Sequence, residues 1–228
     1  HYELILRLVD NDLTHKDIKN KLLDEKIEDN LEKPLETKIM QVKVYPFEIP
    51  EPTDFKTDFW FDEWHIQCRY GKVMTPEFYR KCMELLKKYH LVSYPTFRTI
   101  GRELIIYLEE NGDLTFDFSK IDQYLEAAVE NGLTMINISF TNNYFQIRDY
   151  FKVINVIERK TGKRFKLVVN NPNELTKKFL KDIYNHIIEK KWFTPDKIYC
   201  DILDEPWSRE AKEKLIEASK IVHSAIPS

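Results

Sequence analysis

Apolar positions along this chain follow two patterns. Short apolar or alternating runs mark strands, and spacings of three or four mark helices. Tyr2–Val9 reads as a strand. Thr14–Asn30 is highly charged, with Ile18, Leu22 and Ile27 on one stripe, and predicts a solvated amphipathic helix. Lys38–Phe47 reads as a second strand. Pro46, Pro50 and Pro52 follow within seven residues. Proline offers no N–H to a ladder or a helix, so a boundary is expected there.

Beyond Pro52 the pattern becomes regular. Phe55–Gln67 reads as an aromatic-rich strand. Thr75-Pro76 opens a helix running to about His90, with Thr as N-cap and Pro in its first turn. Leu91–Phe97 reads as a strand. Residues 98–116 form an excursion in which Leu104–Leu108 and Leu114–Phe118 flank Asn111-Gly112-Asp113, a hairpin turn signal. Ser119 and Asp122 predict a capping box at the start of a helix, which stops at Asn131-Gly132. Leu133–Phe140 predicts a strand. Ile147, Phe151, Ile154 and Ile157 predict one helix that stops near Gly162. Phe165–Val169 predicts a strand, and Leu175, Phe179, Ile183 and Ile187 the stripe of a helix. Lys197–Leu203 predicts a strand, and Arg209–Val222 a final helix. This alternation predicts an α/β fold with parallel strands and crossover helices. A barrel and an open doubly wound sheet both satisfy it. In either, chemistry belongs at the C-terminal ends of the strands.

Composition narrows the function. The chain has 228 residues, with 35 Lys+Arg against 38 Asp+Glu, and a net charge of −3. That balance gives no electrostatic case for nucleic acid, whose binding needs cations to neutralise phosphates. No stretch approaches the ~20 apolar residues of a membrane-spanning helix. No two of the five glycines lie closer than eleven residues, which excludes a P-loop and a G-x-G-x-x-G turn. Cys68, Cys82 and Cys200 form no C-x-x-C and cannot make a four-cysteine zinc site. No His/Asp/Glu spacing suggests a metal, and no cofactor is expected. The oligomeric state is not legible. Nor is the cellular address readable from the start of the chain, and an extracellular or cell-surface setting is the expectation over a cytoplasmic one.

The strand ends carry the candidate chemistry: Trp60, Asp62, Trp64 and His65 on the first, Arg98 on the second, Thr141-Asn142-Asn143-Tyr144 on the third, and Asp204-Glu205-Pro206-Trp207 on the last. Such a set suits a sugar, with aromatic faces against C–H surfaces, and amides and carboxylates on hydroxyls. Trp60 and Trp64 share strand parity, and both core packing and a sugar platform remain open for them. Asn142 and Asn143 fit sugar ligands or a simple turn. Arg98 fits a surface position or a partner for a carboxylate in the mouth. Trp207 fits a wall of the pocket. At a strand end turning into Pro206, the adjacent Asp204 and Glu205 can both face the mouth. Like charges held close push one pKa up and keep a general acid protonated. The same pair also suits a solvated loop ahead of a helix, where carboxylates favour the dipole.

The helix end Tyr184-Asn-His186-Ile-Ile-Glu-Lys-Lys-Trp192, followed by Lys197-Ile-Tyr-Cys-Asp-Ile-Leu-Asp204-Glu205-Pro206, resembles the catalytic domain of glycoside hydrolase family 123. The helix from Asp117 through Asp122 to Asn131-Gly132 and the opening Phe47-Glu-Ile-Pro50 are similar too. The resemblance covers about residues 40–228. It implies a (β/α)₈ barrel preceded by a β-sandwich domain, a glycan substrate, and β-N-acetylgalactosaminidase activity in which the substrate's own 2-acetamido group is the nucleophile. It further implies that Asp204 orients the acetamide and stabilises the oxazoline, and that Glu205 is acid and then base. This chain departs from the family by carrying Lys191, where members often have Gly before the Trp. A non-catalytic carbohydrate-binding or structural module on a degenerate barrel is the alternative. A (β/α)₈ barrel typically takes ~250 residues. The expectation is therefore an incomplete TIM-barrel-like portion over residues 51–228, preceded by the C-terminal part of a β-rich, sandwich-like domain over residues 1–50.

Overall fold

The computed structural model describes residues 2–8, 36–42, 61, 63–71, 73–141, 143–204 and 206–226. The chain divides into two compact units, His1–Ile49 and Pro50–Ser228. In the first, β1 (Tyr2–Leu8) pairs antiparallel with β2 (Glu36–Val42), Tyr2 opposite Val42 and Leu8 opposite Glu36. The helix expected over residues 14–30 lies outside the described residues.

The second unit opens with α1 (Glu63–Tyr70) where the sequence pattern read a strand. Its anchor is Glu63. This buried carboxylate accepts the Thr96 N–H at 2.8 Å and also takes the Thr96 hydroxyl. α2 (Pro76–Lys88) begins as expected, with Thr75 Oγ1 accepting the Phe78 N–H at 3.2 Å. The apolar stretch before Phe97 is buried but forms no strand. Pro95 lacks an N–H, and the N–H of Thr96 is spent on Glu63 rather than on a ladder. The chain then turns into α3 (Phe97–Glu103), a helix the sequence reading missed.

The excursion is a hairpin, β3 (Ile105–Leu108) and β4 (Leu114–Asp117), closed by a turn with Gly112 at φ +87°. α4 (Ser119–Glu130) ends at Gly132, φ +98°. It has no capping box. Asp117 accepts the Ser119 N–H at 2.9 Å, while Asp122 pairs with His186 Nε2 at 2.6 Å and Lys190 Nζ at 2.7 Å. After β5 (Ile136–Asn137) comes α5 (Tyr144–Tyr150). The single helix expected through Ile157 stops there. Val153–Glu158 is a strand, β6, because Ile154 and Val156 are buried while Val153 and Asn155 are exposed, a period of two. β7 (Arg164–Val168) returns antiparallel to it. α6 (Pro172–Glu189), β8 (Ile198–Tyr199) and α7 (Arg209–Ala225) complete the order. Past the end of α6, Lys191 sits at φ +57°. That left-handed region favours glycine.

The fold is mixed α/β. One sheet runs β4-β3-β6-β7, in which only β3 and β6 are parallel, and β5 and β8 form a separate parallel pair. Among the described residues the strands do not close into an eight-stranded ring. The core is an aromatic knot around Phe179 of α6. Its ring centroid lies 5.4 Å from Phe151, 5.5 Å from Phe116, 6.1 Å from Phe97 and 6.2 Å from Phe118. Those rings belong to α3, to β4 and its exit, and to the end of α5, so one side chain ties four parts of the unit together. Phe179→Ala should cost about 3–5 kcal/mol, the range for emptying a buried aromatic site. Equilibrium urea unfolding measures it, and a cost under about 1 kcal/mol would show that the knot is not the core.

Candidate active site at the ends of β5 and β8

The β5–β8 ladder is only two residues long, Ile136 opposite Ile198 and Asn137 opposite Tyr199, with Ile138 N–H donating to the Tyr199 carbonyl at 2.9 Å. A side chain takes over where the ladder stops. Asn137, fully buried, donates from Nδ2 to Asp201 Oδ2 at 2.9 Å and to the Thr141 carbonyl at 3.1 Å, with the Tyr94 hydroxyl at 3.2 Å. Its Oδ1 accepts the Asp201 N–H at 3.2 Å, the Ser139 N–H at 3.0 Å and the Ser139 hydroxyl at 2.5 Å. A buried amide can be retained only if its hydrogen bonds are made, and here they are made across the two strands.

The loop after β5 is drawn onto the same place. Tyr144 N–H donates to the Ile202 carbonyl at 2.8 Å, and Asn143 forms an antiparallel bridge with Leu203. Phe97 N–H donates to the Phe140 carbonyl at 2.6 Å, which sets the start of α3 beside the end of the Leu133–Phe140 run. The expected strand over Lys197–Leu203 is thus a two-residue strand plus an extension held by Asn137, Tyr144 and Asn143.

The predicted site residues fall in different places. Asp204 is exposed, just past Leu203 and the bridge. Trp207, before α7, is 83% exposed. Asn143 is the N-cap of α5, its Oδ1 accepting the Phe145 N–H at 2.9 Å, so its side chain follows the turn reading. Arg98 is exposed on the first turn of α3. It lines a groove of about 720 Å³ with Gln146, Tyr150 and Asn155 that touches neither Asp201 nor Asp204. A smaller groove of about 420 Å³ is lined by Asn143, Leu203 and Ser208. Trp64 lies on helix α1, so the shared strand parity with Trp60 does not hold. Its side chain, along with Trp60, Asp62, Asn142 and Glu205, lies outside the described residues. Among the described residues no cluster of His, Cys, Asp and Glu could hold a metal ion.

The sequence reading missed Asp201 and Asn137. Each is a polar residue inside an otherwise apolar run, Ile198–Leu203 and Leu133–Phe140, and that was the available signal. Asp201 is exposed along one side, yet its Oδ2 meets the buried amide of Asn137. Burial first, and the charge of Asp204 second, hold the Asp201 carboxyl above its usual range. Burial also pushes the Cys200 thiol up to about 12, so it is not a thiolate nucleophile.

Residues 57–228 match the catalytic domain of glycoside hydrolase family 123. The chain belongs to that family. Among solved structures it is similar in fold to a family 123 glycoside hydrolase from Clostridium perfringens, studied for the details of glycolipid glycan hydrolysis. The TM-score is 0.50 and the identity 17% over 85% of this chain. The chain spans 37% of the length of that protein. No curated protein matches the chain.

The raised Asp201 carboxyl has a consequence for stability. Below the unfolded value of 3.8, Asp201 is protonated in both states and adds nothing. Between 3.8 and the raised folded value, the folded protein binds more protons than the unfolded chain, so stability falls as pH rises through that window. Asp201→Asn should therefore raise the thermal midpoint at pH 7 and leave it unchanged at pH 3. Equal midpoints at pH 7 would show that Asp201 is not held under strain.

Proposed function

We propose that this chain is part of a glycosidase that removes a terminal β-linked N-acetylhexosamine, N-acetylgalactosamine foremost, with retention of configuration. The observation that carries the reading is the position of Asp204. It follows the extension of β8 that Asn137 and the Asn143 bridge hold beside the end of β5. We further propose that the β5–β8 pair belongs to the wall of a (β/α)₈ barrel, whose chemistry sits at the C-terminal ends of its strands, and that residues 1–50 belong to a β-rich domain.

In this reading the 2-acetamido oxygen attacks the anomeric carbon as the glycosidic C–O bond breaks. Glu205 gives its proton to the departing oxygen. Asp204 accepts the acetamide N–H and stabilises the positive charge of the oxazolinium ring. Water then attacks the same carbon from the vacated side, Glu205 takes its proton, and the acetamide is restored. Two inversions give net retention. Substrate-assisted enzymes of this kind need no enzyme nucleophile, which suits two carboxylates adjacent in the chain. Trp207 stacks on the sugar from the open side. The Clostridium protein is studied for hydrolysis of glycolipid glycans, so such glycans join aryl glycosides among the substrates to test.

In the whole protein, Asp204→Asn and Glu205→Gln should each lower kcat on an aryl N-acetyl-β-galactosaminide by at least about 100-fold, the scale of losing a general acid–base residue, with unchanged circular dichroism. Trp207→Ala should raise KM several-fold at nearly constant kcat. Wild-type rates in both carboxylate variants would sink the reading. Glycan binding without hydrolysis in the wild type would favour a binding module in its place.

A further inference from the structure

The two-residue ladder between β5 and β8 leaves the chain from Cys200 to Asp204 without strand pairing to β5. Tyr144 and Asn143 hold Ile202 and Leu203, but Asp201 lies before those contacts and would keep its conformational freedom without a partner. The Asn137 side chain meets this by gripping one residue, Asp201, at two points. Oδ1 takes its backbone N–H, as a ladder carbonyl would, and Nδ2 holds its carboxylate. The grip is itself rigid, because Asn137 is fully buried and braced by Ser139, Thr141 and Tyr94.

We propose that Asp201 is a positioning residue for Asp204: clamped by Asn137, it fixes the strand extension from which Asp204 projects and places a second carboxylate beside it in the mouth. The inference rests on the glycosidase reading only for its kinetic arm. Among the described residues, Asp201 meets the Asn137 amide and the neighbouring Cys200 thiol, and it feels the charge of Asp204. The rise in the Asp201 carboxyl that Asp204 helps to cause is what such a placement would give.

Two measurements need no substrate. Amide hydrogen exchange should show Asp201 N–H protected in the wild type. In Asn137→Ala it should be at least about ten times faster, while Ile138 N–H, bonded to the Tyr199 carbonyl, stays protected. Carbon NMR of the aspartate carboxyls should show the Asp201 midpoint falling in Asp204→Asn. Unchanged Asp201 exchange in Asn137→Ala, or an unmoved midpoint in Asp204→Asn, would overturn the proposal.

The kinetic arm uses the whole protein on an aryl N-acetyl-β-galactosaminide. Asp201→Ala should lower kcat about 10- to 100-fold with KM within about twofold. Asp201→Asn, whose amide oxygen can still accept from Asn137, should recover most of that loss. Wild-type kcat in a folded Asp201→Ala variant would overturn the positioning role. A wild type that passes both NMR tests yet hydrolyses no glycoside would support the clamp and count against the glycosidase reading.

Discussion

One buried amide holds together the segments that meet beyond the β5–β8 pair. The parallel pairing of β5 and β8 ends after two residues, too early to fix anything beyond Tyr199. Asn137 extends it with side-chain hydrogen bonds to the backbone and carboxylate of Asp201. A buried polar group left unpaired costs roughly 1–3 kcal/mol, so the network is sharply selective. It is stable with all its partners in place and poor with any one missing. The segment leading to Asp204 inherits that selectivity, and through the bridge from Leu203 so does the loop at Asn143.

Two other contacts set where this end stands. Glu63 reaches from the first turn of α1 to hold Thr96 by its N–H and hydroxyl, which turns the chain into α3. Phe179 then packs α6 against α3, β4 and the end of α5. The helix-end motif that resembles family 123 has a structural explanation in part. His186 pairs with Asp122 at the start of α4, and Trp192 meets the His186 ring edge-on, their centroids 6.0 Å apart. These residues join two helices, whereas Asp204 follows the extension of β8.

Much of the fold was legible where a local rule had no rival. The Thr75-Pro76 helix start, the Asn111-Gly112 hairpin and the Gly132 stop all appear where the pattern put them. The misreadings share a cause: tertiary partners overrode local pattern. The aromatic run through Trp64 and His65 is helical where Glu63 is anchored by Thr96. The buried stretch before Phe97 looked like a strand but has no ladder, because Pro95 and Thr96 have no N–H to give one. Ile147, Phe151, Ile154 and Ile157 match a helical spacing by coincidence, and the alternation of buried Ile154 and Val156 with exposed neighbours decides for a strand. Asp204 stands out in the sequence as a candidate because it belongs to an acid pair before a proline. Asp201 and Asn137 do not, because their value lies in each other across 64 residues of chain.

In the proposed mechanism the sugar supplies its own nucleophile and the protein contributes two carboxylates. The most direct measurement compares two aryl β-galactosides in the whole protein, one carrying a 2-acetamido group and one a 2-hydroxyl. The account predicts turnover of the first, with the anomeric configuration retained in the first-formed product, and none of the second. Comparable hydrolysis of both would contradict it, since no acetamide is then needed to attack the anomeric carbon.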